Sequence, residues 1–190
     1  IKAQKGEKVL IQCNNSEPEF IKALIREIYK VEAIPFVSLN DKTIERELLL
    51  GATEEQMRIR AEIELAEMKQ MDCYIGFTSV RNLNALCDVP QDKMELYKNL
   101  VVQPVTMDQR LNHTKWVVLR YPSAAMAQMS NMSEDAFEDF YFNVCCLDYD
   151  KMSKAMNPLV ELMEKTDKVR IVGPGTDISF SIKGLPAVKC

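Results

Sequence analysis

"EKVLIQC", residues Glu7 to Cys13, is the stretch that decides the fold. It is a short, mostly apolar run with β-branched residues, which is typical of a buried strand. A segment of helical character, residues 18–32, follows it directly. The apolar residues of that segment recur at spacings of three and four, which predicts one buried helix face: Phe20, Leu24, Ile28 and Val31.

Three further runs repeat the pattern of the first. They are "IPFVSL" at residues 34–39, "DCYIGF" at residues 72–77 and "WVVLRY" at residues 116–121. Segments of helical character separate them, and this alternation is typical of βαβ units. The sequence therefore predicts an α/β fold, with a mostly parallel sheet covered by helices on both faces. At 190 residues the chain fits a single α/β domain with a sizeable core, residues 1–190.

One segment, residues 53–70, could be a strand or a helix. Apolar and charged residues alternate in it from Met57 to Leu65, as in a half-buried strand. However, Thr53 and Gln56 have the spacing of a capping box, and about eighteen residues is too long for an ordinary strand. We predict a helix.

Several helices are expected between the last of these strands and the C-terminus. A helical stretch over residues 92–112 precedes the strand at Trp116, and a short helix follows that strand. Ser133 has the character of an N-cap for a further helix, and residues 158–167 form the last one. The helix after Ser133 is predicted to bury one stripe: Phe137, Phe140, Tyr141, Val144 and Leu147.

The segment "KVRIVGPGTDISFSIKG", residues 168–184, predicts a C-terminal β-hairpin. Alternating runs flank a Gly-Pro-Gly turn, and Thr176 and Asp177 are expected to hydrogen-bond the backbone of that turn. A phosphate-binding or catalytic loop is the less favoured interpretation, because the turn lacks the lysine and the spacing of a P-loop.

Composition excludes several classes of protein. Lys plus Arg is 24 and Asp plus Glu is 28, a net charge of −4 that gives no footprint for a nucleic acid. No apolar run approaches the roughly 20 residues of a membrane span, so we predict a soluble, cytoplasmic protein. The chain begins at Ile1 and enters strand-like residues within a few positions, and we expect it to be part of a longer protein.

Cysteine and histidine give no metal or catalytic site. The six cysteines, Cys13, Cys73, Cys87, Cys145, Cys146 and Cys190, have no C-x-x-C spacing and are predicted to be mostly buried, reduced thiols. His113 is the only histidine, so no zinc site with two histidine ligands can form within one chain. We interpret His113 as an ordinary loop or capping residue, and Trp116 as a packing residue.

Two polar groups are candidates for a site, and the second of them favours the alternative function. The acidic set Glu134, Asp135, Glu138 and Asp139 fits a solvated helix face better than a metal site. Asn14, Asn15 and Ser16 follow the first strand and precede a helix, a place suited to anion binding. The sequence thus predicts no catalytic, cofactor-binding or metal-ligating residue, and leaves open a small-ligand or nucleotide-binding module of flavodoxin-like fold.

Two segments together resemble the aminopeptidase T type metallopeptidases, also called thermophilic or leucyl aminopeptidases. "WVVLRYPSAAMAQMSNMSEDAFEDFYFNVCCLDYDKM", residues 116–152, is similar to their tryptophan, tyrosine-proline and acidic-aromatic pattern. "RIVGPGTDISFSIKG", residues 170–184, is similar to their hairpin. With the preceding βα alternation, the resemblance covers almost the whole chain.

The resemblance implies a non-catalytic N-terminal domain. In that family, two divalent metal ions of the zinc or cobalt type are held by the C-terminal half, which begins after the hairpin. We therefore expect no cofactor in this chain, and a full-length enzyme that removes N-terminal amino acids from peptides. The domain is expected to wall the active-site chamber, in a homodimer whose partners are its own catalytic domain and peptide substrates.

Overall fold

The computed structural model describes residues 1–15 and 17–189. Its strands are β1 (Lys8–Asn14), β2 (Ile34–Asn40), β3 (Cys73–Ser79), β4 (Lys115–Tyr121), β5 (Lys168–Gly173) and β6 (Thr176–Ser181). Its helices are α1 (Pro18–Lys30), α2 (Lys42–Leu50), α3 (Glu54–Met68), α4 (Gln91–Tyr97), a π-helix (Lys98–Arg110), α5 (Leu111–His113), α6 (Ala124–Met129), α7 (Glu134–Cys145), α8 (Tyr149–Ala155) and α9 (Asn157–Lys165). No helix among these described residues is both long and apolar enough to cross a bilayer.

Four strands form a parallel sheet in the order β2-β1-β3-β4. The predicted α/β fold is confirmed, and each of the four predicted strands lies within two residues of its observed bounds. Side chains of β1 alternate between the two faces of the sheet because successive residues of a strand point in opposite directions. Val9, Ile11 and Cys13 pack with α1, whereas Leu10 packs with α3 and the π-helix. Both faces are therefore covered, as predicted.

The surroundings of helix α3 explain why the sequence of residues 53–70 is compatible with either a strand or a helix. Thr53 accepts a hydrogen bond from the backbone N–H of Gln56, so the predicted cap is present. The charged residues Arg60 and Glu64 line a cavity on the sheet side of the helix, while Ile59 and Ile63 are exposed. The alternation of apolar and charged residues comes from a helix that packs on a partly polar cavity and not from a strand.

The chain divides into two compact units, Ile1–Glu138 and the part from Asp139 onward. The second unit contains most of α7, helices α8 and α9, and the hairpin. No described residue from Asp139 onward is buried. Of the stripe predicted for α7, only Phe137 is buried: Tyr141 is half-buried, and the prediction is wrong for Phe140, Val144 and Leu147, which are exposed.

Strands β5 and β6 form the predicted antiparallel hairpin. Pro174 and Gly175 connect them, and Gly175 has φ +71°, the conformation that the third position of a type II turn requires. Asp177 pairs with Arg170, whose Nε and Nη2 lie 2.8 and 2.7 Å from its carboxylate oxygens. The side chain of Asp177 thus accepts from a guanidinium on the opposite strand, and not from the turn backbone as predicted.

Candidate functional site

The carboxyl ends of β1 and β3 meet at the centre of the sheet. In open α/β sheets, ligands bind at such a point, where the strand order reverses. Asn15, directly after β1, is buried and has φ +61°. Its side-chain amide donates a 2.8 Å hydrogen bond to the carbonyl of Ser79, at the end of β3. Asn15 therefore ties two strand ends together and is occupied by a structural contact.

A cleft of about 420 Å³ lies at the carboxyl ends of β3 and β4. Ser79, Tyr121 and Ser123 contribute to its lining. The hydroxyl of Ser123 is buried and has no hydrogen-bond partner within residues 1–15 and 17–189. This cleft is the candidate site, because it lies at the carboxyl edge of the sheet, next to the point between β1 and β3 where the strand order reverses.

The cleft is acidic. Its charged lining consists of three carboxylates, Glu17, Glu134 and Glu138, and one guanidinium, Arg81. Burial raises the pKa of Tyr121, and the negative charges of Glu138 and Glu17 raise it further. The cleft therefore favours a cationic group or a hydrogen-bond donor over an anion.

This charge argues against anion binding directly after β1, the feature of the sequence that favoured a small-ligand module. Glu17 takes the N-cap position of α1 without a capping hydrogen bond from its side chain, so it adds a negative charge near the place where an anion would bind. The side-chain amide nitrogen of Asn14 lies 3.5 Å from the hydroxyl oxygen of Thr78. Ser16, the third residue of that prediction, lies outside the described residues.

The other residues weighed from the sequence are at the surface. His113 is exposed at the end of α5, and Trp116 is 47% exposed, so its predicted packing role is only partly realised. In the acidic set Asp135 and Asp139 are exposed, as expected of a solvated helix face, whereas Glu134 and Glu138 line the cleft described above.

The cysteines fall into two groups. Cys13 and Cys73 are buried, as predicted, and burial raises the pKa of both thiols, that of Cys73 to about 11. Such thiols are poor nucleophiles because the thiolate is scarce. Cys87 and Cys146 are exposed and Cys145 is half-buried, which corrects the expectation of burial for these three. Cys190 lies outside the described residues.

The residues present do not fit a metal centre. Within the described part of the chain, no three His, Cys, Asp or Glu side chains come together in a way that could hold a metal ion. A dinuclear site needs more ligands than this arrangement offers.

Comparison with known proteins identifies the family. Residues 1–184 match the family described as thermophilic metalloprotease (M29). The chain belongs to the M29 family. This is a family of metallopeptidases that includes aminopeptidase T, so the resemblance seen in the sequence is confirmed.

A solved M29 structure has the same fold. Wild-type AmpT from Thermus thermophilus superposes on the chain with a TM-score of 0.71 at 16% sequence identity. The match covers 92% of this chain and 48% of the AmpT chain, so the chain spans about half the length of that structure. A comparison with curated proteins gives no match.

Three residues that line the cleft were not predicted from the sequence. Arg81, Tyr121 and Ser123 are separated in the chain, and only the parallel sheet brings them to one edge. A general signal was available, since all three lie at or just after the ends of predicted strands.

Proposed function

We propose that this chain is the non-catalytic N-terminal domain of a metal-dependent aminopeptidase. The M29 match over residues 1–184 is the observation that carries the proposal. The longer enzyme removes N-terminal amino acids from peptides, and the present domain forms part of the wall of its active-site chamber. Such a wall limits access to the reacting centre and so favours chain ends over internal peptide bonds.

The share of AmpT that matches supports a longer protein. The match covers 92% of this chain but only 48% of the AmpT chain. We infer that the part of the enzyme outside this match holds the two divalent metal ions of the zinc or cobalt type. When bound, such ions polarise the scissile carbonyl and lower the pKa of a bound water.

The exposed apolar surface of the second unit supports the same proposal. Side chains on α7, α9 and the hairpin remain about half exposed or more: Phe140, Val144, Leu159, Leu162, Ile171, Val172 and Ile178. Exposed apolar patches of this kind mark interaction sites. We assign this surface to contact with the catalytic domain of the same chain.

The remaining partners follow from the family and from the surface. We propose a homodimer for the full-length enzyme, and the exposed apolar side chains of the edge strand β2, among them Phe36 and Leu39, are suited to contact with a second copy.

The described cysteines are free thiols, which agrees with a cytoplasmic location. No nucleic acid is expected, at a net charge of −4.

The test compares the longer protein with and without metal. The reading frame that contains this chain is expressed in full, and release of the first residue of a leucyl peptide is measured with cobalt or zinc. We expect turnover that a chelator abolishes, and no cleavage of the same peptide with an acetylated N-terminus. Equal cleavage of the acetylated peptide would contradict the exopeptidase assignment.

A flavodoxin-like binding module is the second candidate. The strand order β2-β1-β3-β4 agrees with the first four strands of that fold. The acidic lining at the carboxyl ends of β3 and β4 disfavours the phosphates of a nucleotide or a flavin. Titration of the chain with FMN and with nucleotides separates the two candidates, since the aminopeptidase domain should bind neither.

A further inference from the structure

Strand β4 forms one edge of the parallel sheet, and its outer side is open. Among the described residues it pairs with β3 alone. The N–H of Lys115 donates to the carbonyl of Asp72, so Lys115 directs its backbone groups toward β3. Because these groups alternate along a strand, Trp116 and Val118 direct their N–H and C=O groups outward. Within residues 1–15 and 17–189, these four groups make no hydrogen bond.

The side chains of β4 are also poorly covered. Trp116, Val117 and Val118 are 47%, 37% and 55% exposed, although they alternate between the two faces of the sheet. No proline or charged residue interrupts the run from Trp116 to Leu119. An exposed apolar edge strand of this kind is a template for pairing with another extended segment.

The opposite edge strand, β2, is better protected. The N–H of Ile34 donates to the carbonyl of Glu7, which directly precedes β1, so the next residue, Pro35, takes an outward-facing position. Proline has no N–H to offer there, and natural sheets use it to block pairing at an edge. Addition of a strand is therefore favoured at β4.

The carboxyl end of β4 opens into the acidic cleft. Tyr121, the last residue of β4, lines that cleft together with Glu17, Glu134, Glu138 and Arg81. Three carboxylates against one guanidinium leave the lining negative. Burial raises the pKa of Tyr121, and the charges of Glu138 and Glu17 raise it further, so their field acts at the end of β4. A cationic group is favoured beside that end of the strand.

The open edge and the acidic cleft together fit an extended peptide with a free N-terminus. An added strand pairs with the outward backbone groups, and its N-terminal ammonium supplies the positive charge that the cleft favours. Since the cleft lies at the end of β4, the peptide must run antiparallel to β4. At about 3.4 Å per residue, roughly six residues of the peptide span the distance from Tyr121 to Trp116.

We propose that the outer edge of β4 binds an unblocked peptide as an antiparallel strand, with its ammonium in the cleft lined by Glu17, Glu134 and Glu138. The inference rests on the proposed function in one respect, the choice of a peptide as the ligand. Peptide residues opposite Val118 and Trp116 should be β-branched or aromatic, because such cross-strand pairs are favourable.

The experiment measures binding of the hexapeptide amide Ala-Ser-Thr-Val-Thr-Val, with a fluorophore at its C-terminus, to the 190-residue chain in the absence of metal. Fluorescence anisotropy gives the affinity. We expect saturable binding of one peptide. The same peptide with an acetylated N-terminus, or with a methyl group on the backbone nitrogen of its fourth residue, should each bind about tenfold or more weakly.

Two variants at one position test the strand edge. Val118→Pro removes the outward N–H but no hydrogen bond to β3, and it should weaken binding about tenfold or more. Val118→Thr keeps that N–H and is the matched control, which should bind as the unmodified chain does. Urea unfolding verifies that both variants are folded, and the methylated peptide tests the same contact without any substitution.

A second set of variants tests the cleft. Glu17→Gln combined with Glu138→Gln should weaken binding of the free peptide while leaving that of the acetylated peptide unchanged. Asp135→Asn is the control, because Asp135 is exposed on the same helix as Glu138 and does not line the cleft.

Two results would overturn the proposal. One is equal binding of the free, acetylated and methylated peptides, or no saturable binding. The other is self-association in sedimentation that Val118→Pro abolishes, with no peptide bound, which assigns the edge to a second copy of the chain. Because binding is measured without metal or turnover, its failure is distinct from a failure of the aminopeptidase assay on the longer protein.

Discussion

At the scale of single residues, Gly76 controls the placement of Tyr74. A Cβ on Gly76 would lie 2.6 Å from Cε1 and 2.8 Å from the hydroxyl of Tyr74, distances that no side chain can occupy. Tyr74 is 5% exposed, so its ring has little room to move away. Glycine at this position is therefore needed for the stacking of Arg110 on the Tyr74 ring and for the hydrogen bond from Tyr74 to Gln12.

We expect Gly76→Ala to destabilise the chain by about 1–3 kcal/mol, the usual cost of overpacking a core. Urea unfolding measures it. Gly51→Ala is the matched control, because a Cβ there meets nothing within 4 Å and its φ is −93°. If both variants unfold at the same urea concentration, the close packing of Tyr74 on Gly76 does not prevent a larger residue at position 76.

Glu45 lines the cavity between the sheet and α3, and it is the residue through which pH acts there. Burial pushes the pKa of Glu45 upward, but the hydrogen bond and charge of Lys42, with help from Tyr97 and Arg60, outweigh it and hold the pKa below its ordinary value. A carboxyl whose pKa is lowered on folding stabilises the protein above its unfolded pKa, roughly 4.3. That stability is lost as the pH falls through the folded pKa.

Glu45→Gln should therefore cost about 1–3 kcal/mol at pH 7, the range for a hydrogen bond to a charged group. The difference from the unmodified chain should shrink as the pH falls below about 4.3. Urea unfolding at a series of pH values measures this. Glu47→Gln, on the same helix but 71% exposed, serves as the control. A difference that is the same at all pH values would show that Glu45 is not the titrating group.

At the scale of elements, sequence patterns succeed where the local signal is strong. Strands β1 to β4, helix α1 and the hairpin were predicted within a few residues. The strands are short apolar runs, α1 has apolar residues at spacings of three and four, and the hairpin has a Gly-Pro-Gly turn between alternating runs. Helix α2 was missed, although Asp41 accepts a hydrogen bond from the N–H of Thr43 and so supplies a cap that the sequence displays. The single helix expected after Ser133, over residues 133–152, is two helices in the structure, α7 and α8.

The π-helix and the lining of the cavity between the sheet and α3 could not be predicted in the same way. The π-helix packs against α3, and valine, threonine and proline in Lys98–Arg110 give no local signal for π geometry. Arg60 and Arg110 are fifty positions apart, and only the tertiary fold brings them to one cavity. The stripe predicted on α7 failed for a different reason, because apolar spacing indicates a face to be covered but not the partner that covers it.

The hairpin gives a prediction at this scale. Gly175 lies at φ +71°, a region that β-branched side chains adopt badly, whereas Gly173 has no such requirement. Gly175→Val should destabilise the hairpin by about 1 kcal/mol or more. Gly173→Val is the control, since both positions have open space for a Cβ.

Hydrogen exchange of the hairpin amides, the N–H groups of β5 and β6, measures the effect. We expect faster exchange in Gly175→Val than in Gly173→Val. Exchange that is equally fast in both variants would mean that the turn does not depend on the left-handed conformation.

At the scale of the whole molecule, the two units differ in how they bury apolar side chains. The unit Ile1–Glu138 has two clusters of buried residues, one on each face of the sheet. From Asp139 onward most apolar residues of α7, α9 and the hairpin stay exposed. This contrast, together with the match to half of AmpT, supports the proposal that the chain is the N-terminal domain of a larger M29 enzyme.

The most direct test of that account is elemental analysis of the purified 190-residue chain, combined with an aminopeptidase assay on a leucyl substrate with added cobalt or zinc. The described residues bring no three potential metal ligands together, and the chain has one histidine. We therefore predict no stoichiometric metal and no metal-dependent turnover. Metal-dependent release of leucine by this chain alone would contradict the assignment of a non-catalytic domain.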